Sequence, residues 1–367
     1  MKHLLTRLGW LVAGALGALI ALELLFRLLP VSMGLQRAAD TARWPLVYAE
    51  PHSRYAYSLS WSMRNAHRGM TNNYGHIAEQ DFVALSRPVL VLGDSFIESL
   101  MNDPADTLQA QLGRRLGDPS AVYGLGVSGL SASGYVALGS LARTEFAPRA
   151  AVIAMIDGDL SESLLRAPAS HYLVDTPSGY LLEFDPPDPP GWTTRVRKSV
   201  GDSALFRYLQ ANLQFAPANI LKRPGAAVVP QTASPEAAAS AKRVVDWMLE
   251  QLPASLGLEP RCIVLLLDSD RYAIYRAESA TPPKDAPEAR RYLVERARQL
   301  GFSVSDLEPV FRARHARDGV KFDHWPIDRH WNRVGHGVAA DEAYRLLAGA
   351  DAKSPGCLDR NVSAAAR

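Results

Sequence analysis

The sequence predicts an α/β domain in three layers, with about five parallel strands between helices, preceded by one long apolar helix. Two observations predict it. Short apolar runs without polar alternation, such as residues 89–92 (VLVL) and 151–156 (AVIAMI), recur between stretches of helical periodicity, as strands covered on both faces must read. At the N-terminus, residues 8–22 carry no charge, and the apolar stretch resumes after Glu23 with Leu24, Leu25 and Phe26.

The bulk composition excludes several classes. The 367 residues are 47% hydrophobic and 21% charged, ordinary for a chain that buries a sizeable core. That length accommodates two domains, or one large α/β domain with attachments. Forty basic side chains face 38 acidic ones, and no long basic run is interleaved with aromatics, so nucleic acid is not an expected partner. No period of about 20–50 residues recurs, which argues against a repeat architecture.

The elements follow in order. Residues 8–29 supply the ~20 mostly apolar positions that a bilayer span needs. Glu23 would then lie near the far interface, within i,i+4 reach of Arg27. Lys2 and Arg7 before the apolar run favour a cytoplasmic N-terminus. A cleaved signal peptide is the competing reading, but no small-x-small site follows the apolar run. Residues 1–33 are therefore expected to be an uncleaved membrane anchor, with the remainder exported. Residues 34–86 form a lead-in, with a tight turn at Thr71-Asn72-Asn73-Tyr74-Gly75.

The main domain is expected over residues 87–350. Its first strand is 89–92, and Leu108, Leu112 and Leu116 mark a helix closed by Gly117 in the C′ position. Strands follow at 121–123 and 151–156. An insertion at about 166–233, rich in proline, carries one amphipathic stretch at 205–215. Ser234-Pro235-Glu236 opens a helix whose apolar stripe is Val244, Val245, Met248, Leu249 and Leu252. A strand at 262–267, a helix near 288–300, a strand at 302–304 and a helix at about 336–348 complete the alternation, before a tail at 351–367. In such sheets function collects at the carboxyl ends of the strands.

At the end of the first strand stands Gly93-Asp94-Ser95-Phe96. A serine where a strand turns into a helix can expose its Oγ beside free backbone N–H groups, although Asp94 or Ser95 could equally cap the next helix. Asp328-Arg329-His330-Trp331-Asn332 lies before the last helix, in an expected loop at the same sheet edge. Histidine can take a serine proton near neutrality, and a carboxylate two residues away can fix its tautomer. Ser95, His330 and Asp328 are the candidate nucleophile, base and orienting acid. His324, His330 and His336 recur every six residues, but no helix or strand period brings them to one ion, so neither metal nor cofactor is expected. Asp268-Ser269-Asp270 reads as a turn or, alternatively, as part of a sugar site. Cys262 and Cys357 are either a buried and a free thiol or, in an oxidising compartment, a disulfide.

These blocks resemble those of the SGNH or GDSL hydrolases. Residues 89–99 (VLVLGDSFIES) are similar to the first family block, and Tyr123-Gly124-Leu125-Gly126-Val127-Ser128-Gly129 to the second. Asp328 to Asn332 resembles the last block in the Asp-x-His-Trp-Asn form of the SGNH-like domains of alginate O-acetylation proteins. The likeness runs from about residue 88 to residue 348, with the insertion unmatched. It implies a serine esterase or O-acyltransferase acting on O-acyl, chiefly O-acetyl, groups of an envelope or extracellular glycan. It also implies a catalytic domain in the bacterial periplasm or outside, held to the inner membrane by a single-pass helix in the lipid bilayer, with polysaccharide-assembly proteins as partners. The alternative is a catalytically degenerate member that binds glycan or assists polysaccharide assembly.

The resemblance also implies an oxyanion hole built from the backbone N–H groups of Ser95 and Gly126 and from an asparagine after the third strand. That block departs: Asp157-Gly158-Asp159 stands where the family carries Gly-Asn-Asp, so Gly158 takes the asparagine's position and its side-chain donor is lost. Asp157 and Asp159 are expected to point away from the oxyanion, with Asp159 capping the next helix through Leu160 and Ser161.

Overall fold

The computed structural model describes residues 2–35, 49–156, 158–187, 191–213, 235–276, 288–349 and 357–358. They fall into two units.

The smaller unit takes the described parts of Met1–Leu35, Arg54–Gly69 and Pro189–Val229. Its helix α1 spans Lys2–Leu28, and the stretch Leu5–Leu28 has a mean hydropathy of 2.0, long and apolar enough to cross a membrane. The paired strands β1 (Arg54–Leu59) and β2 (Arg64–Met70) lie within the expected lead-in. Glu23 is the one acid in the apolar helix, and it is not idle. Its carboxylate accepts the Arg27 Nε–H at 2.7 Å, the Ser203 hydroxyl at 2.8 Å and the backbone N–H groups of Ala204 and Leu205. It thereby satisfies the free N-terminal donors of the short helix Ala204–Arg207. Phe26 stacks on Tyr208 at 4.3 Å, and the Asn212 amide accepts from Ser32 N–H and donates to Ser58 Oγ.

The larger unit holds the sheet. Its strands are β3 (Val89–Gly93), β4 (Val122–Gly126), β5 (Ala150–Met155), β8 (Ile263–Leu267) and β9 (Ser303–Asp306), all parallel, in the order β4-β3-β5-β8-β9. Every residue of β3, β4, β5 and β8 is buried, because alternate side chains enter two separate cores. Leu90, Leu92, Ile153 and Leu265 pack on one face with the helices Ala132–Phe146, Pro235–Leu256 and Glu288–Gln299. Val89, Val91, Val152 and Val264 pack on the other with Leu108–Arg115, Leu307–Asp318 and Arg333–Leu347. The three layers expected from the apolar runs are present, and each of the five strands lies within about three residues of its expected bounds.

Several elements were not expected. The stretch read as an insertion contains an antiparallel hairpin, β6 (Ser170–Thr176) with β7 (Gly179–Asp185), which belongs to the larger unit, whereas the helices Trp192–Gly201 and Ala204–Arg207 belong to the smaller. The amphipathic stretch at 205–215 is helical through Asn212, and its last two residues lie outside those described. The segment before the last helix is not a loop. Asp323–His324 (β10) and Asp328–Trp331 (β11) form a two-stranded antiparallel ladder.

Cys262 and Cys357 form a disulfide, with Cα atoms 5.0 Å apart and a sequence separation of 95. Of the two readings left open, the bridge is the one present. It ties Cys357, beyond the last helix, to the entry of β8. Closing so long a loop should contribute about 2–4 kcal/mol by restricting the unfolded chain. Mass spectrometry of oxidised, exported protein should find no free thiol, and Cys357→Ser should lower the unfolding midpoint correspondingly.

Candidate active site

The strand order sets the place. Helix α3 (Leu108–Arg115), after β3, packs on one face of the sheet, whereas the helix Pro235–Leu256, after β5, packs on the other. The chain therefore leaves these adjacent strands toward opposite faces, which opens a crevice at their carboxyl ends. Ser95 follows β3 and Gly158 follows β5 at that point.

Ser95 opens the short helix α2 (Ser95–Glu98), with only Asp94 between it and the end of β3. So abrupt a turn requires glycine at 93, since a Cβ there would lie 2.2 Å from Ile97 Cγ1. Asp94 caps the helix by accepting the Phe96 N–H at 2.9 Å. The capping reading and the nucleophile reading therefore fall on two neighbouring residues, Asp94 and Ser95. Phe96 is buried and meets the His330 ring at 4.9 Å and the Trp331 ring at 5.3 Å.

His330 and Asp328 project from the same side of β11, as two residues apart on a strand must. His330 Nδ1 lies 2.6 Å from Asp328 Oδ1, and Nε2 lies 2.8 Å from Ser95 Oγ. An ionised carboxylate can only accept, so Nδ1 carries the hydrogen and Nε2 is left to accept the serine proton. Asp328 also accepts the His330 backbone N–H at 3.0 Å, which fixes the ring's approach. The three candidate residues are thus brought into one hydrogen-bonded line across 235 positions of sequence. The Ser95 hydroxyl has a second, longer approach to Asp94 Oδ2 at 3.5 Å. Burial raises the Asp94 carboxyl to about 6, against the opposing effects of the Phe96 N–H and His330.

Gly126 ends β4 where that strand meets α2: a Cβ there would lie 2.0 Å from the Glu98 backbone nitrogen. The next turn is held to the nucleophile's helix by a hydrogen bond from Ser128 to Glu98. Gly129 in this turn has φ of +80° and open space at its Cβ position. It lines a cavity of about 210 Å³ together with Ser128, Ser131 and His171.

Gly158 has φ of −70° and ψ of −24°, an ordinary right-handed conformation. A Cβ there would approach only the carboxyl end of the Glu162 side chain, at 2.9 Å, which can swing away. Asp157 lies outside the described residues. Asp159 corrects the sequence reading, because it does not cap through Leu160 and Ser161. It is fully buried, accepting the Tyr135 hydroxyl at 2.7 Å and the Ile156 N–H at 2.9 Å. Burial, with Asp94 nearby, holds its carboxyl well above the usual range.

The other histidines divide their roles. His336 is fully buried, accepting the Leu108 N–H on Nδ1 at 3.1 Å and facing Ser99 Oγ from Nε2 at 3.0 Å. Asn102 closes this network by donating to Ser99 Oγ and to the Trp331 carbonyl. It joins the end of α2, the start of α3 and the last helix. His171 is also buried, and His324 pairs with Asp328 across the β10–β11 ladder. Asp270 caps the helix Arg271–Tyr275, so the Asp268-Ser269-Asp270 turn is a helix entry. Sequence reasoning singled out Asp268 only as part of a turn or sugar site, and missed Arg271 and its pairing with Asp268. The available signal was their i,i+3 spacing directly after an apolar strand, at the same edge as Ser95.

No protein-family model matches the chain, and no curated protein matches it. Solved structures similar to it at low level include three enzymes. An alpha/beta hydrolase enzyme from the metagenome of Lake Arreo, Spain, is 15% identical with a TM-score of 0.37, over 72% of this chain and 96% of that one. An acetyl xylan esterase from the rumen bacterium Butyrivibrio proteoclasticus is 10% identical with a TM-score of 0.35, over 74% of this chain and 65% of that one. A salicylyl-acyltransferase from a tetracycline biosynthetic pathway is 15% identical with a TM-score of 0.31, over 72% of this chain and 56% of that one. These likenesses are too distant to assign a role to any residue.

Burial depresses His336 to about 3 from an ordinary 6.5. Its folded pKa lies below its unfolded one, so the unfolded chain binds the extra proton between those values. Stability should therefore be lost as pH falls from about 6.5 toward 3 and be unaffected by this group above that window. In His336→Gln the slope of unfolding free energy against pH should be shallower in this window by up to ~1.4 kcal/mol per pH unit, measured by denaturant titration.

Proposed function

We propose that this chain is a membrane-anchored serine esterase or O-acyltransferase of the SGNH type, acting on O-acyl groups of an envelope or extracellular glycan. One observation carries the reading: His330 stands 2.8 Å from Ser95 Oγ with its far nitrogen on Asp328, at the crevice end of the sheet. A lone serine capping a helix needs no such partner, and a lone His-Asp pair needs no serine. Together they form the arrangement that nucleophilic acyl transfer requires.

Ser95 Oγ attacks the ester carbonyl while its proton passes to His330 Nε2, and Asp328 stabilises the imidazolium. The backbone N–H groups of Ser95 and Gly126 are assigned to the oxyanion. On collapse, the C–O bond of the leaving alcohol breaks and His330 returns the proton to that oxygen. Water, or a sugar hydroxyl, then gives its proton to His330 and attacks the acyl-serine; the bond from the acyl carbon to Ser95 Oγ breaks, His330 returns the proton to Oγ, and either the acid or a new ester is released. Helix α1 is read as a single-pass anchor in the inner membrane, with the larger unit in the periplasm. The disulfide supports that placement, since such bonds persist in oxidising compartments.

Ser95→Ala and His330→Ala should each lower ester turnover by about 10³-fold or more, because the members of such a unit fail together. A fluorophosphonate probe should label the wild type at Ser95 and neither variant. Glycan binding that persists in Ser95→Ala, with no labelling of the wild type, would instead support the degenerate reading.

Gly158 tests the oxyanion assignment. Its right-handed backbone admits a side chain, and one hole donor is typically worth about 10²–10³ in rate. Gly158→Asn should raise kcat for ester hydrolysis with the fold unchanged. A correctly folded variant with unchanged turnover would show that the site gains nothing from a donor there.

A further inference from the structure

The base His330 is flanked by residues whose contacts converge on one buried ion pair. Arg271 and Asp268, at the carboxyl end of β8, are paired side chain to side chain and are almost wholly buried. Arg271 Nη2 donates to the carbonyl of Arg329, the residue before His330. Asp268 Oδ1 accepts the indole N–H of Trp331, the residue after it, at 2.8 Å. Arg271 Nε reaches Asp323 at 3.3 Å, on the strand position opposite Trp331 in the β10–β11 ladder. Its guanidinium carbon lies 5.5 Å over the centre of the Phe96 ring, and that ring meets the His330 ring at 4.9 Å.

We infer that Arg271 and Asp268 are positioning residues that brace His330 against Ser95. The inference deepens the serine-nucleophile reading and rests on it. A buried ion pair contributes little net stability compared with well-packed apolar residues, since desolvation offsets the attraction. What this pair supplies is direction. Arginine's planar fork ties the Arg329 carbonyl and two carboxylates at fixed angles, which a lysine or an apolar side chain cannot do. Strand β11 is four residues long and, among the described residues, pairs only with the two-residue β10, so its own ladder is too short to hold a side chain to a few tenths of an ångström. Misplacement of a reacting group by about 1 Å can cost 10²-fold in rate, so the tether matters to turnover more than to folding.

The test uses the full chain in detergent micelles and two mild variants. Trp331→Phe keeps an aromatic ring and removes the indole N–H, together with the fused five-membered ring, which leaves a small cavity at this buried position. Asp268→Asn keeps an acceptor but removes the charge that orients Arg271. Both should fold, and both should lower kcat about tenfold or more, with KM changed by less than about twofold. Both should also broaden or abolish the low-field proton resonance of the His330 Nδ1–H bonded to Asp328. Asp268→Glu, retaining the charge, should recover part of each signal. Wild-type kcat with a sharp imidazole resonance in both variants would overturn the brace, and a purely structural role would lower the unfolding midpoint alone. The resonance separates the two hypotheses. If Ser95→Ala retained full turnover, the nucleophile assignment would fall, while loss of the resonance in Trp331→Phe and Asp268→Asn would still establish the brace on His330.

Discussion

A parallel sheet covered on both faces has no place along its strands for an unpaired polar side chain, and much of this site follows from that constraint. Strands β3, β4, β5 and β8 are buried at every position, so side chains able to do chemistry stand where the strands end. The divergence of the chain after β3 and β5 leaves a crevice there, and Ser95 enters it on the first residue of a helix. That placement brings α2 close against two glycines: a Cβ would lie 2.2 Å from Ile97 Cγ1 at Gly93 and 2.0 Å from the Glu98 backbone nitrogen at Gly126.

The same constraint governs the acids behind Ser95. Asp94, Asp159, Asp268 and Asp323 are all buried at or near the strand ends. An isolated ionised carboxylate there would be strongly disfavoured, so each is either paired or driven toward its neutral form. Asp268 and Asp323 meet Arg271. Asp159 has its carboxyl well above the usual range and shares a hydrogen bond with Tyr135, whose hydroxyl is raised by the same burial. Asp328 differs, because its partner is the ring that faces Ser95. Its hydrogen bond therefore joins it to Ser95 through that ring.

In the smaller unit, one charge in an apolar helix finds a comparable use. Glu23 accepts two backbone N–H groups and a hydroxyl from the segment 203–205 while pairing with Arg27. A carboxylate at a helix N-terminus satisfies donors that would otherwise have no partner. The charge that interrupts the hydrophobic run is a docking point for a segment some 180 positions away.

By itself the sequence determined the layers, the strands and the three residues of the candidate triad. Burial on both faces leaves a signature in consecutive apolar residues, and the chemistry of serine, histidine and aspartate is legible wherever a strand-end context can be inferred. Only the tertiary structure decided how those residues are held. The β10–β11 ladder is too short to give a periodicity, so Asp328 and His330 were read as lying in a loop. Asp159 was expected as a cap because acids favour helix starts, and the buried Tyr135 hydroxyl 24 positions away outbid that local preference. Arg271 meets Arg329 across 58 positions, and Cys262 meets Cys357 across 95. Such contacts depend on which strand ends become neighbours, and no local pattern in the chain encodes that.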